Sequence, residues 1–249
     1  MKLEFVPTLE KLLEVYRVPI GQARFDAYIA ATVGGAQTTA EIALPPLVIA
    51  NPMAKAHVNT VLETWLALDV NAAARAILLE LELACSLEVS SKVGLTILDD
   101  LRGGWTNRYL NDWNFRFPKK MSTNWIIVPL WVSEFANLET LQIAIRASVA
   151  RVVWQWQHGV PQTLLEMLHQ EGFAQSFAGL KPTLETDDLE YSRAVLAPFL
   201  QSVEKPVQFA CLFGDAAARE VGYVALGLSA FAGLEVALAD YPWRQSKPI

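Results

Sequence analysis

Apolar residues recur at three- and four-residue spacing along most of this chain, and Gly or Pro interrupts each run. That pattern predicts a mainly α fold over residues 1–249: a single-domain multi-helix bundle around a buried C-terminal helix, with a small two-stranded β element. Thr8 caps a first amphipathic helix running to about Arg17, where Pro19 and Gly21 stop it. A second helix carries Arg24, Phe25, Asp26 and Tyr28 and ends at Gly34 and Gly35. Leu44, Pro45, Pro46 and Leu47 read as a rigid extended connection, because Pro disfavours helix in the residue before it.

Asn51 and Pro52 then form an N-cap with Pro at the first helical position. The third helix, to about Ala67, turns Val58, Val61, Leu62, Trp65 and Leu66 inward and leaves His57 at the edge of the stripe. Asn71 caps the next helix, to about Val89, in which Glu80 falls on the apolar side. β-branched and aromatic content predicts strands at 93–98 and 125–132, paired as a ribbon.

Asn137 caps and Gly159 ends a long helix with two apolar stripes, and shorter helices cover about 161–171 and 188–200. Asp215 caps the last long helix, over about 216–239. Its residues Ala218, Gly222, Ala225, Ser229 and Ala232 make a small-residue face, against which another helix can approach closely.

Composition narrows the classes. With 53% hydrophobic and 18% charged residues, helices must be buried on more than one side or share a surface in an oligomer, so a homodimer is the default expectation. The longest apolar, uncharged run, 221–234, has 14 residues, short of the roughly 18 that a membrane span needs. The N-terminal segment mixes Lys and Glu with Leu and has no secretory h-region, so the expected location is cytoplasmic. Net charge of -6 argues against nucleic acid as a partner. Cys85 and Cys211 sit in apolar surroundings and read as small buried hydrophobes, with neither a disulfide nor a metal assigned.

Residues 99–120 concentrate aromatic, Arg and Asn side chains. If the segment after Gly103 and Gly104 is helical, Trp105, Tyr109 and Trp113 align at four-residue spacing, with Asn107 and Arg108 alongside. Such a stripe is either a pocket wall, with Arg102 or Arg108 as a fork for an anion, or core packing with the arginines paired to Asp99, Asp100 and Asp112.

Other chemistry is sparse. Glu166 and His169 have the Glu-x-x-His spacing of carboxylate-bridged di-iron bundles, but no second pair accompanies them, and a solvated face is the better reading. Glu80 and Glu235 fall among apolar neighbours on helical wheels, where a carboxylate must be paired or bind its proton more tightly. No nucleophile elbow, Walker loop or dinucleotide fingerprint is present in the sequence.

The expectation carried forward is a small, partly apolar, anionic ligand bound by Arg102, Trp105, Asn107, Arg108, Tyr109 and Trp113. Any catalysis would use Asp99, Asp100 or Glu235 as acid or base. The alternative from another class is an interaction or scaffold protein using the same Trp, Tyr and Arg surface as a hot spot. A helical-bundle metal oxygenase ranks third.

Overall fold

A computed structural model describes residues 1–34, 42–84, 90–101, 106–119 and 124–241. Strand β1 (Lys2–Val6) leads into helices α1 (Thr8–Arg17), α2 (Gln22–Thr32), α3 (Pro45–Val48), α4 (Ala56–Ala67) and α5 (Val70–Ala84). Strand β2 (Ser90–Leu98), helix α6 (Arg108–Arg116) and strand β3 (Trp125–Trp131) come next. Then follow α7 (Leu138–His158), α8 (Leu164–Phe177), α9 (Thr186–Leu196), a 3-10 turn at Ala197–Phe199, α10 (Lys205–Phe213), α11 (Asp215–Glu220) and α12 (Ala232–Asp240). The fold is mainly helical, as expected. It divides into two compact units, Met1–Asn107 with Ser122–Ile145, and Arg108–Met121 with Arg146–Lys247.

The first unit corrects the expected two-stranded ribbon. Its sheet has three strands in the order β1-β2-β3, all parallel, and β1 comes from the N-terminal segment, where no strand was expected. Leu3 pairs with Ser91, and Leu95 with Val128. Parallel neighbours need crossover connections instead of a hairpin turn, and here α1–α5 join β1 to β2. Every residue of β2 from Val93 to Leu98 is buried, as expected of a central strand covered on both faces.

Helix α1 is tied to that strand by the Thr8 hydroxyl, which donates to the Leu95 carbonyl at 2.5 Å. Gly94 lets α3 approach: a Cβ there would lie 2.6 Å from Cγ of Pro46 and 3.2 Å from the Trp125 ring. On β1, the Arg75 guanidinium lies 5.3 Å from the Phe5 ring centroid, and Glu82 accepts the Leu3 N–H. Helix α4 starts at Ala56, later than expected, because Asn51 turns its side chain onto the Met53 N–H in a local loop.

In the second unit the expected long C-terminal helix is broken. Helix α11 ends at Glu220, and Gly222 (φ 78°) and Gly227 (φ 87°) carry the chain through turns before α12 begins. Asp215 anchors this loop by accepting from the N–H groups of Leu226, Gly227 and Leu228 on one oxygen, Oδ1. A buried C-terminal helix is present, but it is the nine-residue α12. Its close approaches lie elsewhere than expected. A Cβ on Gly172 of α8 would collide with the Ala237 carbonyl, and one on Gly233 of α12 with the Cys211 carbonyl. Gly222 has no neighbour within 4 Å of its would-be Cβ.

The core of this unit is aromatic. Tyr109 meets Phe213 and Phe231 at centroid distances of 6.0 and 5.8 Å, and Trp113 meets Phe117 and Phe209 at 5.1 and 5.9 Å. Beside it lies a buried ionic network. Glu171, fully buried, takes Nε and Nη2 of Arg151 at 2.7 and 2.9 Å and is also bonded by Arg116, whose Nε reaches Asp112 at 2.9 Å. Gln170 bridges the Glu171 carboxylate and the Arg116 carbonyl, and Gln155 in turn donates to Gln170.

Candidate ligand cavity

Between α7, α8, α9 and α12 the second unit leaves a cavity of about 620 Å³. Trp154, Gln157 and His158 come from α7, Leu165, Leu168, His169 and Phe173 from α8, and Arg193 and Leu196 from α9. Ala197 and Leu200 follow α9, while Val236, Ala237, Asp240 and Tyr241 come from α12 and the residue after it. The α8 contribution follows from helical spacing: Leu165, Leu168, His169 and Phe173 lie along one edge of the helix. That size falls within the 300–1,000 Å³ range of small-molecule sites, and the walls are largely hydrocarbon and aromatic.

Several of the lining side chains are polar. The His158 ring stacks on Trp154 one turn earlier, with centroids 4.7 Å apart and planes inclined by 26°. Its Nδ1 lies 3.0 Å from the Trp154 carbonyl oxygen. A carbonyl only accepts, so the Nδ1 proton is on the ring and Nε2 carries the lone pair in the neutral imidazole. Arg193 and Asp240 pair through Nε and Nη2 at 2.6–3.2 Å, and that hydrogen bond raises the Arg193 pKa. Burial raises the Tyr241 phenol above its usual range.

Glu166 belongs to local structure. Its carboxylate accepts from the N–H groups of Gln162 and Thr163 in a capping box at the start of α8, and these bonds lower its pKa. His169 is exposed at the cavity margin, and no group of three or more metal-ligating side chains occurs among the described residues.

Among the described residues, none of Asn107, Arg108, Tyr109 and Trp113 lines this cavity. Arg102, Trp105 and Cys85 lie outside the described residues. Asn107 and Arg108 are half-buried around the start of α6. Tyr109 and Trp113 pack on neighbouring rings, and the Lys205 ammonium caps the Trp113 ring at 5.2 Å. Glu235 accepts from Thr183 N and Oγ1 and from Leu184 N, which clamps the loop before α9. Glu80 is exposed, against the wheel reading. Cys211 is the buried thiol expected, with burial pushing it up to about 12.

Asp99 and Asp100 stand at the carboxyl end of β2 in the first unit. Asp99 is 5% exposed, and its Oδ1 lies 3.0 Å from Nε2 of His57 at the start of α4. Asp100 accepts from both the backbone N–H and the hydroxyl of Ser133 after β3, at 3.0 and 2.6 Å. A carboxylate facing Nε2 holds the proton on that nitrogen and leaves Nδ1 as the acceptor. His57 and Asp99 are separated by 42 positions, so no sequence motif joins them.

The chain matches no family model, no curated protein and no solved structure. No helix among the described residues is long and apolar enough to cross a membrane.

Proposed function

We propose that this protein binds a small, largely apolar molecule in the cavity between α7, α8, α9 and α12. The observation that carries the reading is the cavity itself: about 620 Å³, open to solvent on one side and lined by aliphatic and aromatic side chains together with a few polar ones. Burial of apolar ligand surface there supplies about 25 cal/mol per Å², and the polar lining groups supply orientation. The reading keeps the small-ligand expectation and moves it away from the α6 stripe.

Ala197 offers a clean test, since it lines the cavity while remaining exposed, so a large side chain there fills space without cutting into the core. Binding of small aromatic compounds, followed by calorimetry on the wild type, should disappear in Ala197→Trp while the melting temperature stays within a few degrees. Retained binding in a folded Ala197→Trp variant would remove the proposal.

A second reading concerns the first unit, and the His57–Asp99 pair favours it. A buried carboxylate that fixes the tautomer of a partly exposed imidazole leaves Nδ1 able to accept a proton, the arrangement that general-base catalysis uses. On this reading Asp99 positions His57, and Asp100 holds the neighbouring loop through Ser133. Hydrolysis of activated esters by the wild type should fall on the order of 10²-fold or more in His57→Gln. No wild-type turnover, or equal turnover in the variant, defeats the reading.

A further inference from the structure

We infer that the molecule taken by the unit-two cavity is uncharged, with an aromatic or alicyclic body and a single hydrogen-bond donor. The inference rests on the cavity reading above and concerns only the class of ligand. It departs from the anionic ligand suggested by the arginines of residues 99–120, because neither Arg108 nor Arg116 is among the described residues that line the cavity.

The charge balance comes first. Among the lining residues the permanently charged groups are Arg193 and Asp240, which cancel. His158, His169 and Tyr241 are the remaining titratable lining groups, and Glu166 stands near His169 on α8 with its carboxylate already engaged by the capping box. With both imidazoles and the phenol in their neutral forms, the described lining carries no net charge.

The fork comes second. Arg193 is the guanidinium that an anion would seek, and Asp240 already occupies it through Nε and Nη2, at 2.6–3.2 Å. A carboxylate ligand would have to displace that partner or sit against its negative charge. Both options lose the advantage of a bidentate site.

The donor requirement comes third. The Trp154 carbonyl holds the proton of His158 on Nδ1, so Nε2 presents a lone pair. A ligand hydroxyl or N–H meets that atom, whereas an ether or ketone oxygen leaves it without a proton to accept. The stacked Trp154 and His158 rings give a flat surface, and Leu165, Leu168, Phe173 and Leu196 surround the body of the ligand.

Three probes of one shape separate these features: 2-naphthol, 2-methoxynaphthalene and 2-naphthoate, titrated by calorimetry at pH 8. The expected result is that 2-naphthol binds wild type at least about tenfold more tightly than either of the others. Asp240→Asn, which releases the Arg193 fork at an exposed pair and so leaves the fold little changed, should bring 2-naphthoate level with 2-naphthol or ahead of it. Wild-type preference for 2-naphthoate, or equal binding of all three, overturns the ligand class while leaving the cavity reading intact. Undiminished 2-naphthol binding in Ala197→Trp, or no binding of any probe to wild type, overturns the cavity reading and this inference with it.

Discussion

Both carboxylate oxygens of Glu171 are held by the Arg151 guanidinium, at 2.7 and 2.9 Å, in a site with no solvent exposure. Two cations and two carboxylates meet there, because Arg116 bonds Glu171 and Asp112 at once. Burial pushes the Glu171 carboxyl up, and Arg151 and Arg116 overcome that effect, lowering its pKa to about 2. Burial likewise opposes the charge on Arg116, and Asp112 and Glu171 reverse it, for a net raised value. The cluster links α6, α7 and α8 by charge-assisted bonds.

Glu171→Gln should therefore destabilise the protein by roughly 3–5 kcal/mol, since it leaves buried guanidinium charge without its counter-ion. The pH dependence has a definite sign. A folded-state pKa of about 2 against an ordinary 4.5 gives stability that is fully present above pH 4.5 and lost as pH falls toward 2. Urea unfolding of wild type and variant at pH 7 and pH 3 should show the gap between them shrinking in acid. A gap that stays constant or widens contradicts the ionic account.

Gly172→Ala and Gly233→Ala should each cost on the order of 1–3 kcal/mol, because the added methyl group would collide with a backbone carbonyl oxygen, so the backbone must shift. Gly222→Ala should cost only about 1 kcal/mol, the price of a left-handed backbone at φ 78° with open space around the new atom. Chemical denaturation of the three variants gives the order directly. A Gly222→Ala loss exceeding the other two would return the close packing to residues 216–225.

That contrast shows what the sequence carried. Helix α1 was legible from Thr8 to Arg17 because its apolar spacing and its stop signals agree. β1 was missed although Leu3 and Phe5 alternate with charged residues, since its partner β2 starts at Ser90 and no local turn announces a parallel pairing. In 221–231 the apolar content suggested helix, whereas Gly222 and Gly227 adopt positive φ, which a helical wheel does not register. Helical wheels put buried glutamates at Glu80 and Glu235, whereas the fully buried one is Glu171, whose partners Arg116 and Arg151 lie 55 and 20 positions away. The cavity had no motif to find, because four helices each contribute a few edge residues to it.

In their neutral forms His57 and His158 should be opposite tautomers. Asp99 holds the proton of His57 on Nε2, and the Trp154 carbonyl holds that of His158 on Nδ1. Long-range proton–nitrogen correlation spectra of selectively labelled protein, assigned with His57→Gln and His158→Gln, distinguish the two forms. The same tautomer at both positions would undo the acceptor roles given to Nδ1 of His57 and Nε2 of His158.

The α6 stripe gives the last test, because its two readings differ in what they ask of Trp113. Its indole is 6% exposed, packs on Phe117 and Phe209, and is capped by the Lys205 ammonium. A core residue so enclosed should cost roughly 3–5 kcal/mol when truncated, so Trp113→Ala should lower the melting temperature steeply or prevent folding. Trp113→Phe keeps most of the ring contacts and should lose less than half as much. A ligand-facing indole behaves in the opposite way, since its removal leaves folding intact and abolishes binding. A melting temperature for Trp113→Ala equal to that of wild type would therefore restore the stripe as a binding wall and take Trp113 out of the core.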